Sequence, residues 1–191
     1  MLSSIHPLGE RARNNRWRTT ISAFAFGAVA AGVLIGGSLG ALGARWSDGG
    51  WALPAFGVGA VLAGSLDLAG VRAAGPRRQV NERWIGTLRG WVYGGGFGFQ
   101  LGTGLATFVV TWAVWMTLVA EFLSGSATGG ATIGAIFGFG RALAPLAAGT
   151  IDRPSRLIRF SARMAAMARP SHLTAGVLTV TIGLLAVMIG V

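Results

Sequence analysis

Apolar runs of about twenty residues have the length of a bilayer-spanning helix. This chain carries five of them, separated by clusters of arginine. They extend from about Ile21 to Ala44, Trp51 to Val71, Gly94 to Leu123, Ala131 to Ile151 and Leu173 to Val191. Charged residues make up 12% of the sequence, about half of the roughly 25% found in ordinary soluble domains. That is too little charge to coat a globular surface. The chain therefore reads as all-α: one membrane domain over 1–191, a polytopic transmembrane helix bundle of about five spans.

The third run is the exception in length. At about 1.5 Å per residue it would be roughly 45 Å long, against a hydrocarbon core of about 30 Å. It must tilt strongly or break, and a break would give six spans. Its beginning, WVYGGGFGFQLGTGLATF, holds the triplet Gly94–Gly96, a poor helix former in water and the expected place for irregular backbone. The first run, at 24 residues, exceeds the roughly 7–15 of a cleaved signal peptide and reads as a retained anchor.

All sixteen basic residues are arginine, and their distribution sets the orientation. Arg11, Arg13, Arg16 and Arg18 lie in a basic tail over 1–18. Arg72, Arg77, Arg78, Arg83 and Arg89 follow the second run, and Arg153, Arg156, Arg159, Arg163 and Arg169 follow the fourth. The alternate connections hold only Arg45. By the positive-inside rule the N-terminus is cytoplasmic and the C-terminus outside, in a bacterial cytoplasmic membrane. Arginines so placed read as topology signals and contacts to anionic lipid headgroups, and not as a nucleic-acid surface. Residues 152–170 read as a cytoplasmic amphipathic helix ended by Pro170, with Leu157, Ile158, Met164 and Met167 towards the acyl boundary.

Small residues recur every four positions. Ala28, Gly32, Gly36, Gly40 and Ala44 form one face of the first run. Gly94, Gly98, Gly102 and Ala106 form a second, and Ser126, Gly130, Gly134, Gly138 and Ala142 a third. Such faces let helix backbones approach closely in lipid. The last run differs, with Gly176, Thr179, Gly183, Ala186 and Gly190 in a heptad-like spacing.

Polar groups inside the runs are few. Asp67 and Arg141 are the ionisable pair, and Gln100, Thr103, Thr107 and Thr111 form a stripe beside the third run's glycines. Asp67, Gln100 and Arg141 fall at similar depths, so a polar centre formed by these three with Thr103 and Thr107 is the expected site, whether a structural ion pair or a transport centre. Pro145 frees a backbone carbonyl near the same level. Glu121 reads as interfacial. The chain has no cysteine, which excludes thiol redox chemistry and thiolate metal sites. His6 and His172 lack partners at metal-ligand spacing, and no nucleophile–base pattern is present. Neither catalytic residue, metal nor cofactor is expected.

The stretch YGGGFGFQLGTGLATFVVTWAVW, followed by GAIFGFGRALAPLAAG, resembles the second half of bacterial membrane proteins of the CcdA/DsbD transmembrane family. The resemblance covers about Tyr93 to Gly149. It implies a helical bundle of inverted repeats around a central site, and movement of reducing equivalents across the membrane. That chemistry depends on a cysteine in each repeat, so no catalytic position carries over. Two functions remain. One is an accessory or structural subunit that packs through its glycine faces against other membrane subunits or a second copy. The other is a small-solute or ion permease centred on Asp67, Gln100 and Arg141.

Overall fold

The computed structural model of the chain describes residues 5–46, 50–76, 83–106 and 109–190. Among them all regular structure is helical. The helices are α1 (Pro7–Ala12), α2 (Trp17–Gly43), α3 (Ala52–Leu68), α4 (Arg83–Thr87), α5 (Gly90–Gly102), α6 (Ala113–Leu123), α7 (Ala127–Ala147, continued by a 3-10 turn, Ala148–Thr150) and α8 (Pro154–Gly190). Three of them, α2, α7 with its turn, and α8, are long and apolar enough to cross a membrane. α3 and α6 are apolar but shorter. A membrane location is compatible with this set, in which three helices of the described residues reach spanning length against about five expected.

The third apolar run is two half-helices. α5 passes straight through the Gly94–Gly96 triplet, and the chain leaves helical geometry after Thr103, where Gly104 adopts φ +72°. A glycine in the left-handed region just beyond a helix end is a standard stop signal, because no Cβ penalises it. The triplet stays helical because it meets close neighbours. A Cβ on Gly94 would fall against the Thr20 carbonyl, and one on Gly96 would come within 2.9 Å of the Trp84 ring.

The second departure is Pro170, which stops nothing. α8 runs unbroken through it for 37 residues, so 152–170 is not a separate amphipathic helix but mostly the first half of α8. Proline forfeits one backbone hydrogen bond and crowds the preceding turn, a loss that membrane helices absorb through local adjustment and Ser/Thr side chains. The acceptor freed here is the Ala166 carbonyl, one turn before Pro170; one turn after it, the Thr174 hydroxyl donates to the Pro170 carbonyl at 2.9 Å.

Packing divides the helices into two groups. α2 is the spine of the first. α7 lies antiparallel along it: Gly32 faces Gly134, Gly36 faces Gly130 and Gly40 faces Ser126, each so close that a Cβ would overlap the opposite carbonyl oxygen. α5 lies parallel to α2, with Gly94, Gly98 and Gly102 against the carbonyls of Thr20, Phe24 and Ala28. The Ala28 carbonyl meets both Gly102 and Gly138, so three backbones converge on this fully buried residue. In the second group α3 and α8 run antiparallel, with Gly57 facing Gly183 and Gly64 facing Gly176. α6 lies between the groups. Its Met116 packs with Ala60 and Ala63 of α3, and a Cβ on Gly43 of α2 would overlap the Phe122 carbonyl. Outward, Phe26, Ile136, Met188 and Ile189 are each more than two-thirds exposed, as side chains meeting acyl chains would be.

Candidate functional site

The first backbone N–H groups of α6, like those of any helix, have no acceptor within the helix and need one elsewhere. Asp67, in the last turn of α3, supplies one: the Trp112 N–H donates to its Oδ1 at 2.9 Å. A carboxylate at a helix N-terminus also gains from the helix dipole. The adjacent indoles hold the junction, Trp112 donating to the Val71 carbonyl at 3.1 Å and Trp115 to that of Ala74 at 2.6 Å. From α8, the His172 Nε2 lies 3.2 Å from the Val110 carbonyl oxygen and 3.9 Å from Asp67 Oδ1. Asp67 is completely buried, yet its Oδ2 has no hydrogen-bond partner among the described residues.

Glu121 occupies the other end of α6. It is 1% exposed, and its Oε2 also lacks a partner among the described residues. Its carboxyl group fills space that Gly36 and Gly134 leave open, since a Cβ on either would stand 3.2 Å from it. The glycines thus do two things at this level: they bring α2 and α7 together and make room for a carboxyl from α6. The sequence pattern places Glu121 at the interface; the structure encloses it between helices. Ionisable groups at helix centres cost about 2.5–3.5 kcal/mol on insertion scales. Two carboxylates held with an oxygen unserved are therefore expensive features of this fold.

The expected polar centre does not assemble as one site. Asp67 joins Trp112 and His172. Arg141, half-buried on α7, stands over the Phe137 ring with its guanidinium 5.3 Å from the centroid. Ion pairs among the described residues join Arg13 to Glu10, Arg156 to Asp152 and His172 to Asp67; none joins Asp67 to Arg141. The two residues belong to different helix groups, since α3 packs with α8 and α7 packs with α2. Gln100 accepts the Thr103 hydroxyl through its backbone carbonyl at 2.8 Å, and that hydroxyl accepts from the Ala106 N–H at 3.1 Å, closing the end of α5. Thr107 lies outside the described residues.

A further buried cluster has no counterpart in the sequence reading. Glu10 of α1 is fully buried beneath α2 and α5. It accepts hydrogen bonds from Arg13 Nη2 at 2.6 Å, Thr20 Oγ1 at 2.8 Å and the Tyr93 hydroxyl. Burial alone would lower the Arg13 pKa, but the hydrogen bond and charge of Glu10 outweigh it and hold it above its ordinary value. The cluster fastens the N-terminal segment to the bundle, with Ile5 buried against Phe24 and Phe97. One signal was available: Pro7 opening a short helix with an acid in its first turn, a recognised helix start.

No known protein family, characterised protein or solved structure matches the chain.

Proposed function

We propose that this protein is a small membrane permease for protons or monovalent cations, with Asp67 and Glu121 as the groups that pass the ion along α6. The observation that carries this reading is the pair of buried carboxylates at the two ends of one half-helix, each with an oxygen free to take a proton or ligate an ion. At about 1.5 Å per residue they are roughly 14 Å apart along the helix axis. Intramembrane acids characteristically mark ion pathways, and discontinuous helices characteristically build transporter sites. Gln100 and Arg141 stand outside this pathway. The setting is a bacterial cytoplasmic membrane with the N-terminus inside, supported by the arginine distribution.

Reconstitution into liposomes tests it. Under an imposed potential, proton and cation fluxes are followed for the wild type, Asp67→Asn and Glu121→Gln. The amide oxygen introduced by Asp67→Asn would still accept the Trp112 N–H, so that change removes charge and preserves the junction. Wild-type vesicles are expected to dissipate the gradient, and each variant to slow it by about tenfold or more. Equal rates in wild type, both variants and empty liposomes would end this reading.

A second reading is an accessory subunit of a larger membrane complex. It is favoured by residues 154–170 of α8, exposed at nearly every position and carrying Arg156, Arg159, Arg163 and Arg169. The glycine faces of α2, α5 and α7 meet one another, so a partner subunit or second copy would be met through this helix instead. Anionic headgroups are the competing occupant of the same arginines. Co-purification from the native membrane in mild detergent separates the two: a stoichiometric partner favours the subunit, a homogeneous chain the permease. The CcdA/DsbD likeness is retained only as a proposal of shared helical packing.

A further inference from the structure

Arg141 borders a cavity of about 390 Å³ at the meeting of α2, α5 and α7. The remaining wall is Ile5, Phe24, Leu101, Val110, Ala144 and Pro145, all apolar. The volume lies in the range of small-molecule sites, roughly 300–1,000 Å³. Water fills a cavity stably when it finds two to four polar partners, and this wall offers one guanidinium, which can only donate. Among the described residues no carboxylate lies within ion-pair distance of Arg141. The space is thus shaped for a group that is apolar along its length and anionic at one end.

We propose that the cavity takes the acyl chain of a membrane amphiphile, with Arg141 binding the oxygens of its carboxylate or phosphate head. The planar guanidinium fork matches both groups, bonding two oxygens at once, while Phe137 holds the opposite requirement, an aromatic face for the cation. Ile5 belongs to the segment fastened by Glu10, so the occupant also touches the N-terminal region. Neither Asp67 nor Glu121 contributes to the wall, which meets the junction beside Asp67 only at Val110.

The test is binding of oleate and of dioleoyl phosphatidate to the full chain in a neutral maltoside detergent, read by native mass spectrometry and by titration. Oleyl alcohol serves as the uncharged control. At least one of the two anions is expected to bind saturably at one per chain, and which one does so identifies the source as free fatty acid or phospholipid. Arg141→Gln is expected to weaken binding by about tenfold or more through loss of the bidentate contact. Ala144→Phe keeps the charge and occupies the cavity, and should weaken it at least as much. If Arg141→Gln fails to fold, the Ala144→Phe variant and the alcohol control decide. Saturable binding that Ala144→Phe leaves unchanged, an alcohol that binds as well as oleate, or no saturable binding of either anion would overturn the proposal.

Discussion

The two helix groups solve the same problem with different spacing. In α2, α5 and α7 the small residues recur every four positions, and in α3 and α8 every seven: Gly57 and Gly64 against Gly183 and Gly176. Four-residue spacing of small side chains belongs to close right-handed crossings, and heptad spacing to left-handed ones. The approach differs accordingly. A Cβ on Gly57 or Gly64 would stand 2.7 Å from the facing carbonyl oxygen, whereas one on Gly32, Gly36 or Gly40 would come closer still. The first group has backbone against backbone; the second admits Val180 and Val187 beside its glycines. Dispersion contact, which must replace the hydrophobic effect inside lipid, is therefore denser in the first group and more yielding in the second.

Substitutions break or sharpen that contrast. Gly32→Leu should have the largest effect, because the new side chain would meet the Gly134 backbone, which cannot move aside. Loss of folded protein on size exclusion in mild detergent is the expected outcome. Overpacking penalties of about 1–3 kcal/mol are usual even where side chains can shift. Gly64→Ala would bring a Cβ 2.7 Å from the Gly176 carbonyl oxygen and 2.8 Å from the Val180 backbone nitrogen, so α3 and α8 must part slightly, and a loss of about 1–3 kcal/mol is predicted; thermal unfolding followed by tryptophan fluorescence measures it. Tyr93→Phe removes one hydrogen bond to a buried carboxylate and should cost about 1–3 kcal/mol, loosening the N-terminal segment as seen by limited proteolysis. Gly140→Ala, inside α7 with open space around it, is expected to be tolerated and to raise stability by up to about 1 kcal/mol. Should Gly64→Ala prove as damaging as Gly32→Leu, the two groups would not differ in tolerance.

Much of the first group is visible as bare spacing. Stripes through Gly32, Gly94 and Gly130 lie on the faces that meet, because a period of four on a helix fixes a face whatever it packs against. The break in the third run was harder to place. Glycine weakens a helix in water, which points at Gly94–Gly96, yet in a packed membrane helix those residues are filled in by neighbouring carbonyls and the Trp84 ring. The chain breaks instead after Thr103, where Gly104 takes a positive φ ahead of the β-branched Val109, Val110 and Thr111. Such residues are comparatively weak helix formers. A similar depth for Asp67 and Arg141 is what the sequence leads one to expect, since position along an apolar run can be read from it. Lateral neighbours cannot, and these two residues belong to different helix groups. Glu121 follows from the same error: on one long helix it would sit at a rim, but on a short α6 it ends up between Gly36 and Gly134.

The third apolar run is two half-helices, α5 and α6, with Asp67 capping the start of the second, and the proposed ion path would make the junction between them accessible to water. The chain has no cysteine, so single cysteines can report on it one at a time. We would place them at Phe99, Ala106, Val110 and Val119 and measure labelling by a membrane-impermeant maleimide in sealed, oriented vesicles. The account predicts that Ala106→Cys and Val110→Cys react while Phe99→Cys and Val119→Cys remain protected. All four protected alike, as on one continuous lipid-facing helix, would contradict it.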